Sequence, residues 1–145
     1  AEPAPSAVAA DRIVLVVDRS EAARGLLMRQ LARIGVPARA VGSGQEALDA
    51  LGHGAPYGLV LVDVGMPGLD GAATAAAIRD LPDRRASRVP VVGLVAGDSL
   101  RDREMCRDGG LAGHLAKPVD IGELRIAVDR WLRTEIDRGS PVDVG

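Results

Sequence analysis

Short unbroken aliphatic runs alternate along this chain with stretches whose apolar residues recur at helical spacing. Continuous runs fall at 13–17 (IVLVV), 59–62 (LVLV) and 89–95 (VPVVGLV), the pattern of parallel strands covered on both faces. Weaker runs at 38–41 (ARAV) and 112–116 (AGHLA) complete a set of five predicted strands. Between them, Leu27, Leu31 and Ile34 recur at i, i+4 and i+7, with Gly35 placed to cap the helix end. Ser43 with Glu46 and Asp120 with Glu123 have capping-box spacing, and Leu124, Val128, Trp131 and Leu132 form one stripe after the second box. Further helices are predicted after Asp70-Gly71, ending before Pro82, and from about Ser99.

Five strands alternating with five helices imply a parallel sheet with right-handed crossovers, packed as a doubly wound three-layer α/β sandwich. The lead 1–11, rich in Ala and Pro, reads as a flexible linker, 12–134 as the folded domain and 135–145 as a flexible tail. The "PDRRASR" stretch at 82–88 reads as a basic, solvated loop before the fourth strand.

Composition narrows the function. With 145 residues the chain builds one domain, and a net charge of −2 offers no footprint for nucleic acid or an anionic membrane. No run is long enough to insert in a membrane, and no signal peptide is visible, so the expected compartment is cytoplasmic. Cys106 is the single cysteine and His53 and His114 the two histidines, too few for a zinc site of those ligands. A lone helical cysteine reads as core packing rather than a nucleophile. No phosphate-cradling glycine loop follows the first strand and no G-x-S-x-G elbow occurs, so the chain is expected not to be an enzyme.

Ligands of doubly wound sheets bind at the carboxyl ends of the strands, where strand order reverses. Asp18 ends the first run, Asp63 the third, and Lys117-Pro118 follows the fifth, so two carboxylates and an ammonium are expected in one pocket. Two carboxylates that close repel, and a lysine or an oxygen-liganded divalent cation such as Mg²⁺ relieves them.

The stretches VLVVD ending at Asp18, LVLVDVGMPGLDG around Asp63, VPVVGLVAG, and GGLAGHLAKPVD with Lys117-Pro118 resemble the receiver domain of two-component response regulators, over 12–132. Within that family the sequence is most similar to receivers fused to hybrid histidine kinases. The resemblance implies a flavodoxin-like (βα)5 sandwich with strand order 2-1-3-4-5. It implies that Asp63 is the phosphoacceptor, charged by a phosphohistidine on a histidine kinase or histidine phosphotransfer domain. Lys117 would pair with the carboxylate and later with the phosphoryl oxygens, through a Lys-Pro bond that is often cis in the family.

Three positions depart from the family pattern. The second acid of its acidic pair, a direct metal ligand, falls on Arg19, which has five donors and no acceptor. Either Arg19 replaces the metal as counter-charge for Asp63, leaving Asp18, Asp63, Arg19 and Lys117 roughly neutral, or it turns to solvent while Asp18 and Asp63 hold a weakened Mg²⁺. The switch hydroxyl falls on Val95, and a lost hydrogen bond to a charged group, about 1.5–3 kcal/mol, removes roughly a ten- to hundredfold bias between two states. The aromatic switch position falls on His114. The chain is therefore expected to be a phosphorelay receiver with weakened metal binding and switching, or else a pseudo-receiver that docks partners without phosphorylation. Arg24 and Arg29 on the first helix are exposed candidates for the partner face.

Overall fold

The computed structural model describes residues 13–53, 56–66 and 70–139, with the side chains of 133–139 excepted. The strands are β1 (Ile13–Val17), β2 (Ala38–Val41), β3 (Tyr57–Asp63), β4 (Val91–Ala96) and β5 (Gly113–Lys117). The described helices are α1 (Glu21–Arg33), α2 (Gly44–Gly52), α3 (Gly71–Arg79), α4 (Arg84–Ser87), α5 (Leu100–Asp108) and α6 (Ile121–Gly139). All four strand pairings are parallel and the order is β2-β1-β3-β4-β5, the predicted flavodoxin-like arrangement.

Period-two alternation along the strands feeds two apolar layers. Val14, Val16, Leu59, Leu61 and Leu94 pack against Leu27 and Leu31 of α1 and Leu124 and Val128 of α6. On the opposite face Leu15, Val17, Val60 and Val62 meet Ala47 and Leu51 of α2 and Ala75 and Ile78 of α3. Order reverses between β1 and β3, whose register pairs Val17 with Val62, so Asp18 and Asp63 leave the sheet side by side.

Helix starts follow the predicted chemistry. Ser43, Asp70, Ser99 and Asp120 each accept a hydrogen bond from the backbone N–H three residues on, at 2.8–3.1 Å. Glu46 completes its box one residue early, accepting from Gly42 N at 2.7 Å. Gly35, at φ 79°, follows the end of α1 in the left-handed conformation that glycine adopts most cheaply.

Three expectations are revised. The 82–88 segment contains the one-turn helix α4, because Asp83 Oδ1 accepts from both Arg85 N and Ala86 N. The fourth strand starts at Val91 rather than residue 89, after Pro90, which has no N–H to offer a ladder. Helix α6 continues to Gly139, so 135–139, assigned to the tail, are helical; the 1–11 lead and 140–145 lie outside the described residues.

Close approach holds α3 to the segment that follows Asp63. A Cβ at Gly71 would stand 2.7 Å from Val64 Cα, a clash with backbone. Gly71→Ala is therefore expected to cost about 1–3 kcal/mol in urea unfolding, whereas Gly52→Ala, where an added Cβ meets nothing within 4 Å, should raise stability by about 0.4–1 kcal/mol. Cys106 is buried against Val64 and Val95, and burial, followed by the Asp102 charge, pushes its thiol pKa up. A disulfide reagent at neutral pH should modify Cys106 at the rate of unfolding rather than at that of a free thiol; fast labelling of the folded protein would contradict this packing.

Candidate functional site

The cleft is built at the C-terminal rim of β1, β3 and β5. Asp18 is 0 % exposed, yet both carboxylate oxygens are satisfied: Oδ1 accepts from Ser20 N at 2.9 Å and Oδ2 from Lys117 Nζ at 3.2 Å. Its backbone is held equally firmly, donating to Val41 O at 3.1 Å and accepting from Arg24 Nη1 at 2.7 Å. Asp63 is 8 % exposed; its Oδ1 accepts from Gly65 N at 3.0 Å and pairs with Lys117 Nζ at 3.4 Å. Among the described residues its Oδ2 has no hydrogen-bond partner. One ammonium, on a side chain 28 % exposed, thus bridges two nearly dry carboxylates.

Lys117 reaches this position from the last residue of β5, registered beside Ala96, and its peptide bond to Pro118 is cis. The next loop is tied down from a distance of 89 residues in sequence, where Gln30 Nε2 of α1 donates to Val119 O at 2.8 Å. The loop after β4 is closed by Asp102 of α5, whose Oδ2 accepts from Ala96 N at 2.9 Å. Ser99-x-x-Asp102 has capping-box spacing and could have flagged Asp102; Gln30 carries no local signal.

Arg19 is not brought to the carboxylates. It is exposed and, among the described residues, makes no ion pair or hydrogen bond. In this structure Lys117 is the counter-charge, and the cleft of Asp18, Asp63 and Lys117 is left at −1 rather than neutral. Keeping the guanidinium hydrated avoids the cost of burying a fourth charge. Arg24, expected to be exposed, is half-buried on Asp18 O, whereas Arg29 is exposed.

Val95 is 0 % exposed and packs with Val64 and Cys106, with Leu111 and Ala116 at the edge of the cluster, so that position presents only methyl groups. His114 is exposed on β5, beside a surface hollow of about 400 Å³ shared with Ile126, Arg130 and Trp131. The Pro67 to Leu69 part of the motif around Asp63 lies outside the described residues.

For a divalent cation the donor set is small but chemically suitable. Among the described residues no three Asp, Glu, His or Cys side chains converge on one point. Mg²⁺ is nevertheless commonly held by one or two carboxylates together with phosphate oxygens and water, a requirement that Asp18 and Asp63 fit. No described helix is long and apolar enough to cross a membrane.

Comparison with known proteins agrees with this geometry. The response regulator receiver domain family matches residues 14–129. The hybrid signal transduction protein dokA of Dictyostelium discoideum is 27% identical over 132 residues, covering 91% of this chain and 8% of that protein. Sensor histidine kinase RcsC of Salmonella typhi is 34% identical over 115 residues, covering 79% of this chain and 12% of its own length. This chain therefore spans only a small part of the length of these two proteins. Among solved structures, the receiver domain of sensor histidine kinase PA1611 from Pseudomonas aeruginosa PAO1, with a magnesium ion coordinated in its active-site cleft, superposes with a TM-score of 0.73. It is 30% identical, and the match covers 83% of this chain and 96% of that one. The parallel sheet, the cleft at its reversal point and a family match running from the first strand into the last helix lead to one conclusion: the protein belongs to the response regulator receiver domain family.

Proposed function

We propose that this domain accepts a phosphoryl group on Asp63 from a phosphohistidine of a histidine kinase or histidine phosphotransfer domain, in the cytoplasm, as one step of a two-component phosphorelay. The observation that carries this reading is the carboxylate of Asp63, anchored through Oδ1 by Gly65 N and Lys117 with Oδ2 left open. In the transfer, an Asp63 oxygen forms the new O–P bond as the P–N bond breaks, and the electron pair of that bond returns to the imidazole nitrogen. The nucleophile enters as a carboxylate, so no proton has to leave it. Lys117 has three N–H donors, two of them occupied by Asp18 and Asp63, which leaves one for a phosphoryl oxygen. Positioning and charge neutralisation supply most of the catalysis in such transfers.

Asp18 and Asp63 would hold Mg²⁺, which when bound neutralises charge on the transferring oxygens. Its binding is weakened here because Arg19 occupies the place of a carboxylate ligand and offers no acceptor. Switching is weakened for a similar reason at Val95. That same buried methyl surface favours a second reading, a docking module whose conformation answers little to phosphorylation.

Incubated with phosphoramidate and Mg²⁺, the domain should gain the mass of one phosphoryl group, and Asp63→Asn should gain none; an adduct that persists in the variant would refute Asp63 as acceptor. In calorimetric titration, Arg19→Asp should bind Mg²⁺ roughly tenfold more tightly than the parent, as expected for an added carboxylate ligand worth about 1.4 kcal/mol. Val95→Thr should enlarge the phosphorylation-dependent change in hydrogen exchange over residues 96–103 by roughly tenfold. An unchanged response would favour the docking reading.

A further inference from the structure

Arg19 is absorbed neither by the core nor by the ground-state cleft, yet it stands next to Asp18 on the rim where the phosphoryl group would arrive. We infer that Arg19 is the phosphoryl clamp of this receiver, engaging the transferred group itself and letting Asp63 be charged without a divalent cation. This deepens the phosphoacceptor reading and rests on it.

The charge balance points this way. Asp18, Asp63 and Lys117 sum to −1 before transfer. A phosphoryl group on a side chain carries about −1.5 to −2 at neutral pH and replaces the charge of the Asp63 carboxylate it esterifies, so transfer moves the cleft to about −1.5 to −2, with Lys117 its one cation among the described residues. In the unphosphorylated protein a second buried cation would have little to offset its desolvation, which accounts for the exposure of Arg19. Once the phosphoryl group projects from Asp63 toward solvent, its oxygens meet a guanidinium without leaving water entirely. Arginine grips such oxygens bidentately, with two parallel N–H donors.

Reach permits the contact. Val17 is in register with Val62, so Asp18 lies beside Asp63 and Arg19 one residue further along the same rim. Neighbouring strands are about 4.8 Å apart, a gap that an extended arginine side chain spans. Arg19 is uncommitted: among the described residues it has no ion pair or hydrogen bond to surrender, whereas Arg24, the next arginine along, is already bound to Asp18 O. Among the described residues, the two small ones flanking this path leave it open. Gly65 presents no side chain beside Asp63 Oδ1, and Ala96, at the end of β4, is small and exposed.

The test is phosphorylation of the purified domain by phosphoramidate, followed by intact mass, in excess chelator and separately in Mg²⁺. The parent should form the adduct in chelator. Arg19→Gln should form it there roughly ten- to hundredfold more slowly, the size of one lost hydrogen bond to a charged group, and Arg19→Lys should recover part of the rate. Arg19→Asp should be labelled only with Mg²⁺. Because Arg19 is exposed, these variants should fold, which an unchanged urea midpoint verifies. Labelling of the parent only with Mg²⁺, or equal labelling of Arg19→Gln in chelator, would overturn the clamp while leaving Asp63 as acceptor. No adduct in any variant under either condition would instead remove the phosphoacceptor reading and the clamp with it.

Discussion

Among the described residues Lys117 is the one ammonium shared by Asp18 and Asp63, and the C-terminal rim of the sheet is organised around that sharing. Two carboxylates leaving adjacent parallel strands would repel across a nearly dry cleft, and an unpaired buried charge costs several kcal/mol. Everything that fixes the lysine therefore also fixes the two acids. Strand β5 delivers it in register with the end of β4, Gln30 ties the following loop to α1, and backbone N–H groups of Ser20 and Gly65 each bond one carboxylate oxygen, leaving Asp63 Oδ2 open. The position of the site thus follows from the topology, because only a reversal of strand order between β1 and β3 leaves this rim open.

Much of this was legible because the signals are local or periodic. The run 13–17 is uniformly aliphatic and became a strand buried on both faces; Ser43, Asp70, Ser99 and Asp120 cap helices because a short polar side chain three residues before a free N–H is a local geometric device. Asp18, Asp63 and Lys117 were recoverable from sequence because each ends an apolar run, so the sheet itself brings them together.

What escaped has a physical cause in each case. Helix α4 is a single turn nucleated by Asp83, too short to show a period. Tyr57 and Gly58 extend β3 ahead of its aliphatic run because the pairing with β1, not their own composition, holds them. Gln30 and Arg24 support the site through side chain to backbone bonds whose partners are set by tertiary structure. Arg19 shows the limit most clearly. Its identity could be read directly, but whether a guanidinium enters a cleft depends on the balance between desolvation and pairing, and with Lys117 already in place pairing offers too little.

Direct coupling between Lys117 and the two acids holds the cleft together, and a double-mutant cycle reads that coupling most directly. Unfolding free energies at neutral pH would be measured for the parent, Asp18→Asn, Lys117→Met and the double variant. An interaction energy of about 1–3 kcal/mol between the two sites is expected, the double variant being less destabilised than the sum of the single ones. Additivity within about 0.5 kcal/mol would mean that the ammonium and the Asp18 carboxylate act independently, and that this rim is not assembled around their shared charge.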